Sequence, residues 1–348
     1  MSYKQTNHWI VDNNQHINKN SNEIKEAALW IKKGELVALP TETVYGLGAN
    51  ALSDEAVQKI FIAKGRPSDN PLIVHISRKE QLLRLVSHIP DSANLLINAF
   101  WPGPLTIIFP KGEEVSTVVT AGLDTVAVRM PSHPVAQALI EAANVPIAAP
   151  SANRSGKPSP TSATHVLADL RGKIAGVVDG GPTAEGVEST VIDCTTTPPI
   201  LYRPGGVTRE QLEAVLGPIR IDPALLGKDE QPKSPGMKYT HYAPEGELTL
   251  VENQAAIQTF VDKWREKQFK VGIMATDEHK QDYDADVILS VGSRNDLAEV
   301  AHNLYHVLRQ FDEQKVDVII GETFPREGIG VAIMNRLEKA AGGRIIQR

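Results

Sequence analysis

The chain has 348 residues, 41% of them hydrophobic and 22% charged, and a net charge of −6. That supplies one large core or two ordinary ones, and two domains is the expected division. No apolar run reaches the roughly 18 residues of a membrane span, the charge balance lacks the strong positive excess of a dedicated nucleic-acid binder, and a single cysteine excludes an internal disulfide.

The start, residues 1–20, is polar and lacks a signal-peptide core, which predicts a cytoplasmic protein. Charge is spread unevenly. Residues 245–348 hold 13 Lys and Arg against 18 Asp and Glu, or −5, which leaves −1 for residues 1–244. An anion-binding surface therefore belongs in the first part.

Ser21 or Asn22 is placed to cap a helix whose face carries Ile24, Ala27, Ala28 and Ile31, with Gly34 ending it before a strand at 36–39. Ser53, Asp54 and Glu55 open a second helix that runs to Lys64, and the next strand is 72–76. Further strands are predicted at 105–109, 125–128, 145–149, 175–179 and 190–194, with helices near 93–100, 134–143 and 162–170. Thr208 and Gln211 have capping-box spacing for a last helix to Leu216. Proline then recurs at 218, 223, 232, 235 and 244, as in a linker. Beyond it, strands at 248–252, 270–275, 286–291 and 316–320 alternate with helices near 255–266 and 296–310, which predicts a small parallel-sheet domain.

The segment 64–71, KGRPSDNP, puts two cations one residue apart between a helix and an apolar strand. Lys64 and Arg66 fit a polyphosphate clamp, or a solvated pair complementing the helix dipole. A second loop, 151–156, leaves the strand 145–149 with Ser151 and Asn153 at its carboxyl end, where open α/β sheets bind ligands. The segment 40–48, PTETVYGLG, fits a substrate loop whose glycines let the backbone approach a ligand, or an ordinary polar turn. It matches neither standard nucleotide fingerprint. His75 reads as a ligand group or a satisfied structural histidine. Arg129 reads as a carboxylate clamp or a solvated arginine at a sheet edge, and Cys194 as a small core residue. Carboxylates, Cys and His do not cluster at metal-ligand spacing, so a site of cations and hydroxyls implies an anionic substrate, with any metal carried in on phosphate.

Taken in order, PTETVYGLG, KGRPSDNPLIVHI, WPGPLT, AGLDTVAVRMP, VPIAAPSAN, GVEST and LYRPG resemble the YrdC-type threonylcarbamoyl-adenylate synthases. PGMKYTHYAP and GIGVAIMNRLEKAA resemble their longer, two-domain form. The resemblance begins near residue 21 and runs to the C-terminus. It implies an α/β fold: a YrdC-like twisted mixed sheet, mostly parallel and partly antiparallel, with a concave active-site face, plus a smaller C-terminal Rossmann-like parallel α/β domain. The implied boundaries are 1–220 for the catalytic domain, 221–244 for a linker and active-site lid, and 245–348 for the C-terminal domain.

The resemblance further implies a nucleotidyltransferase that makes threonylcarbamoyl-AMP and pyrophosphate from L-threonine, bicarbonate or CO2, and ATP with Mg2+. Partner proteins would use the adenylate to modify the tRNA adenosine beside the anticodon, with no direct tRNA binding required of this chain. Thr43, His75, Arg129, the Ala149 backbone and Ser189 would surround threonine. Arg66, Asn70, Thr125, Ser151, Asn153, Ser159, Arg203 and Tyr242 would surround ATP, with Lys64 and Arg66 offsetting charge on the phosphoryl oxygens. Lys238, Tyr239, His241 and Tyr242, within residues 237–244, are expected to close over the nucleotide. Two rivals remain at this point: an RNA-binding module, and carbamoyl transfer of the kind found in a hydrogenase-maturation protein.

Overall fold

A computed structural model describes residues 3, 5–11, 17–226 and 241–347. The chain divides into two units, the second made of Gly156–Ser159, Glu185–Val187 and Tyr239–Arg348.

The first unit carries β1 (Asn7–Ile10), α1 (Asn22–Lys32), β2 (Val37–Leu39), β3 (Gly46–Asn50), α2 (Asp54–Lys64), β4 (Ile73–His75), α3 (Lys79–Leu82), α4 (Asp91–Phe100) and β5 (Leu105–Pro110). It continues with β6 (Thr125–Arg129), α5 (Pro134–Ala143), β7 (Ile147–Ala148), α6 (Ala163–Leu170), β8 (Gly176–Asp179), β9 (Thr190–Asp193), β10 (Ile200–Arg203), α7 (Arg209–Leu216) and β11 (Arg220–Ile221). Two of the expected caps form, whereas Ser21 takes the N-cap position of α1 with no side-chain capping hydrogen bond. The Ser53 hydroxyl accepts from the Ala56 amide, and α2 ends on Gly65 in the left-handed region at φ 63°, where a side chain would be strained. Thr208 and Gln211 close a reciprocal capping box at α7, an arrangement in which the cap residue typically contributes about 1 kcal/mol.

The strands join in the order β1-β8-β2-β3-β7-β4-β6-β5-β9-β10-β11. The sheet is mixed, but its middle is more antiparallel than a mostly parallel sheet: β2–β3, β3–β7, β7–β4 and β6–β5 all run antiparallel. The short segment 40–45 between β2 and β3 leaves no length for a crossover helix, so that pair has to run antiparallel. Gly46 and Gly48, read from sequence as part of a substrate loop, belong to β3 instead. A Cβ on Gly48 would lie 2.9 Å from the side chains of both Ile147 and Leu39, so this glycine lets three strands pack.

Alternation along the central strands sorts residues onto two faces. Val74, Ile107, Phe109, Val126, Val128 and Ile192 join the main core with residues of α2, α4 and α7. Ile73, Ile108, Ala127, Val191 and Tyr202 form a separate apolar cluster. By their place in the alternation, His75, Thr106, Thr125 and Arg129 belong to the face of that second cluster. Register aligns three of them: Arg129 of β6 stands opposite His75 of β4 on one side and Thr106 of β5 on the other.

The second unit carries β12 (Glu247–Val251), α8 (Ile257–Arg265), β13 (Val271–Ala275), β14 (Val287–Ser290), α9 (Leu297–Glu313), β15 (Val318–Glu322), α10 (Gly330–Ala340) and β16 (Ile345–Ile346). Its strands, in the order β14-β13-β15-β12-β16, are all parallel, as the sequence rhythm predicts. Glu322, at the end of β15, is fully buried. It accepts from the Thr276 amide at 3.2 Å, Gln254 Nε2 at 3.2 Å and Tyr283 at 3.4 Å, and it pairs with Arg294 at 3.4 Å.

Candidate active site

Arg129 organises the polar end of the second face. Its Nη1 donates to Thr43 Oγ1 at 2.8 Å, its Nε to the Gly103 carbonyl at 3.2 Å, and its Nη2 lies 2.7 Å from Glu42 Oε1. Thr43 is set by the turn that leaves β2. The Thr41 hydroxyl donates to the Val44 carbonyl at 2.7 Å and accepts the Thr43 and Val44 amides, so its contact with Thr43 Oγ1 at 2.8 Å leaves Thr43 as the donor.

Electrostatics fix the protonation of this group. Burial by itself raises the Glu42 carboxyl, but the charge and proximity of Arg129 outweigh it and hold the pKa below the usual carboxylate range. His75 goes the other way. Burial first, and Arg129 second, push it down to about 3, so the imidazole is neutral. Its Nδ1 is buried and completes no well-formed hydrogen bond, although the backbones of Ile73 and Ile147 approach the ring.

Ser189, just ahead of β9, shares a 2.8 Å hydroxyl contact with Thr106 and accepts from Arg203 Nη2 at 3.1 Å. Arg203 Nε also donates to the Ser189 carbonyl at 3.0 Å. Because Thr106 faces Arg129 across the β5–β6 ladder, a chain of polar groups runs from Glu42 through Arg129 and Thr106 to Ser189 and Arg203. Five residues expected at the site are thus brought together: Thr43, His75, Arg129, Ser189 and Arg203.

A second group forms around the loop after β7. Lys64 is buried, and its ammonium donates to the carbonyls of Ser151 and Asn153, the latter at 2.6 Å, and to Asn153 Oδ1 at 3.4 Å. Ser151 Oγ donates to the same Oδ1 at 2.6 Å. Lys64 therefore holds the Ser151–Asn153 loop in shape. Three oxygens of that loop share the ammonium. Arg66 is the more outlying cation: it packs over the Phe61 ring at 5.8 Å and donates to the Asn70 carbonyl at 3.3 Å. Asn70 Nδ2 is buried without a hydrogen-bond partner, so it has a bond to give.

The remaining expected residues lie as follows. Ala149 donates its amide to the Ile73 carbonyl at 2.9 Å, so a backbone contact from it to a ligand falls to its own carbonyl. Thr125 opens β6 opposite Pro110, four residues from Arg129 and on the same face. Ser159 and Tyr242 belong to the second unit. There the Tyr242 ring lies 5.3 Å from that of Tyr305 and beneath the Arg336 guanidinium at 5.7 Å. Residues 237–240 of the expected lid, Lys238 and Tyr239 among them, lie outside the described residues. Cys194 is buried and its thiol is pushed up to about 12, which leaves it a core residue with no reactive thiolate. Sequence reasoning missed two participants. Glu42 was visible only as one carboxylate in a turn, and Thr106 only as a polar residue in an apolar strand.

Comparison with known proteins decides among the chemistries this face allows. A family model described as telomere recombination matches residues 30–205, and one described as threonylcarbamoyl-AMP synthase, C-terminal domain, matches residues 207–342. The threonylcarbamoyl-AMP synthase of Bacillus subtilis (strain 168) is 55% identical over 344 residues, covering 98% of this chain and 99% of that protein. The chain belongs to the threonylcarbamoyl-AMP synthase family. Its namesake from Pyrococcus abyssi is 53% identical over 331 residues, with 93% and 96% of the two chains covered. The crystal structure of P. abyssi Sua5 complexed with L-threonine, at 51% identity, superposes with a TM-score of 0.93 over 99% of this chain and 100% of that one. The threonylcarbamoyl-AMP synthase family in its two-domain form thus accounts for both units, and the resemblance read from the loop motifs is borne out.

Proposed function

We propose that this protein is an L-threonylcarbamoyladenylate synthase, a nucleotidyltransferase that joins L-threonine, bicarbonate or CO2, and ATP into threonylcarbamoyl-AMP with release of pyrophosphate. The observation that carries the reading is the Arg129 cluster. A buried guanidinium, flanked by the Thr43 hydroxyl and a neutral imidazole, suits the carboxylate, hydroxyl and amine of threonine, in a family whose P. abyssi member has been crystallised with that amino acid.

The reaction demands positioning more than side-chain chemistry. The ammonium of threonine gives up a proton, the resulting amine captures carbon dioxide with loss of a second proton to solvent, and a carbamate oxygen then attacks the α-phosphorus while pyrophosphate leaves. Arg129 would hold the amino acid, the Ala149 carbonyl and Ser189 would bound it, and Thr106 would keep Ser189 oriented. Arg66, Asn70 and Arg203 would bind the phosphates, and Lys64 would keep Ser151 and Asn153 in place to meet the nucleotide. The apolar cluster of Ile73, Ile108, Ala127 and Val191 offers a water-poor floor for a carbamate that decomposes in water. Thr125 stands as a further nucleotide contact in this reading.

Among the described residues no three His, Cys, Asp or Glu are grouped to hold a metal. Mg2+ would arrive on the triphosphate, where it would offset phosphate charge. Among the described residues no helix is long and apolar enough to cross a membrane, and we place the activity in the cytoplasm, where tRNA-modifying partners would receive the adenylate.

Mass spectrometry of a reaction containing L-threonine, 13C-bicarbonate and ATP tests this. The expected product is threonylcarbamoyl-AMP carrying one 13C. Recovery of AMP or ADP alone, with no labelled adduct, would refute the assignment.

A further inference from the structure

The resemblance assigns no task to Glu42, yet the residue is only 7% exposed. A buried ion pair is a weak device for stability, since well-packed apolar residues in its place are often as stable or more so. What its surroundings leave undone is informative. Arg129 compensates its charge from 2.7 Å, and the backbone amides of Glu42 and Ser132 help hold the carboxylate, but neither oxygen completes a well-formed hydrogen bond. A carboxylate in that state is matched by a group that brings both N–H donors and positive charge.

An α-amino acid near neutral pH presents a carboxylate and an ammonium on the same carbon. Arg129 and Glu42, opposite in charge and in contact, mirror those two poles, while Thr43, next to Glu42 in sequence, is bonded to the other arm of the Arg129 guanidinium. We propose that Glu42 receives the α-ammonium group of the amino-acid substrate while Arg129 takes its carboxylate. The direct pair keeps both charges compensated without substrate, and a bound zwitterion gives each a second partner. Glu42 then selects for an unsubstituted α-ammonium and aims that nitrogen, which releases a proton to solvent before it is carboxylated. This rests on the threonylcarbamoyl-AMP synthase reading and adds a specificity-determining residue to it.

The test is a calorimetric titration of wild type, Glu42→Gln and Glu42→Asp with two ligands. One is L-threonine; the other is 2,3-dihydroxybutanoate of matching configuration, in which a hydroxyl replaces the amine. ATP binding is measured in all three proteins as a control for an intact fold. Wild type is expected to bind threonine at least about 10-fold more tightly than the desamino ligand, the scale of a hydrogen bond to a charged group. Glu42→Gln should lose about 10- to 100-fold for threonine with little change for the desamino ligand, so that the preference collapses. Glu42→Asp should keep part of it. A purely structural role would weaken both ligands alike.

A Gln variant that binds ATP normally and retains the wild-type preference would overturn the proposal. If that variant does not fold, wild type decides alone: equal affinity for the two ligands overturns it, and a clear preference for the amine supports it. Wild-type protein that binds ATP but no threonine would overturn the functional reading itself, and this proposal with it.

Discussion

Lys64 Nζ lies 2.6 Å from the carbonyl oxygen of Asn153, inside the protein and 89 residues away in sequence. This bond ties the end of α2 to the loop after β7. Replacing Lys64 with Met would leave the Ser151 and Asn153 carbonyls without their donor, at a cost of about 1–3 kcal/mol. The expected result is a lower thermal midpoint with a raised KM for ATP and unchanged threonine affinity. Lys64→Arg should not restore either, because a planar fork cannot replace a point charge at which several oxygens converge. Scanning calorimetry and steady-state kinetics on the two variants check this.

Arg66 is half-buried, packing over the Phe61 ring and donating to the Asn70 carbonyl. Arg66→Ala should lower turnover on the order of 10²–10³ at saturating ATP, the usual scale for losing one transition-state donor. The thermal midpoint should move little. Single-turnover rates alongside a melting curve separate the two effects.

The buried pair Glu42–Arg129 predicts a non-additive response. Arg129→Met strands the Glu42 carboxylate and should cost about 3–5 kcal/mol. Adding Glu42→Gln should recover much of that stability while leaving threonine binding abolished. Urea denaturation of the two single variants and the double variant gives the coupling directly.

Acid should weaken the fold through His75 before it reaches the carboxylates. The native imidazole is held down to about 3 by burial and Arg129, whereas the unfolded chain takes up its proton near pH 6.5. The unfolded state thus binds more protons in that window, so the His75 contribution is complete above about pH 6.5 and is lost as pH falls toward 3. Glu42, also depressed, adds its loss only below its ordinary value of 4.5. Urea midpoints at pH 7.5 and 5.0 should therefore drop less for His75→Gln than for wild type. An equal drop in both would contradict the assignment.

Most helices were legible because their end signals are local. Ser53, Gly65 and the Thr208 capping box each fix a terminus by bonds within four residues, and the segment 134–143 read from sequence is α5 as built. β1 and β3 were not anticipated. β1 lies in a polar stretch and exists through its pairing with β8, about 170 residues away, while β3 is rich in glycine and looks like a turn until β2 and β7 close on it. The candidate site shows the same division. Ordered loop motifs named Thr43, His75, Arg129, Ser189 and Arg203. That Lys64 would spend its ammonium on the Ser151–Asn153 loop, or that Thr106 would link Arg129's neighbourhood to Ser189, depends on strand register, which no local pattern encodes.

The most direct measurement is pyrophosphate release by the purified protein with ATP and Mg2+, with L-threonine and bicarbonate supplied together, singly, and not at all. A threonylcarbamoyl-AMP synthase releases pyrophosphate at a substantial rate only when both are present. Release at the same rate with either one omitted, or none with both supplied, would contradict the account.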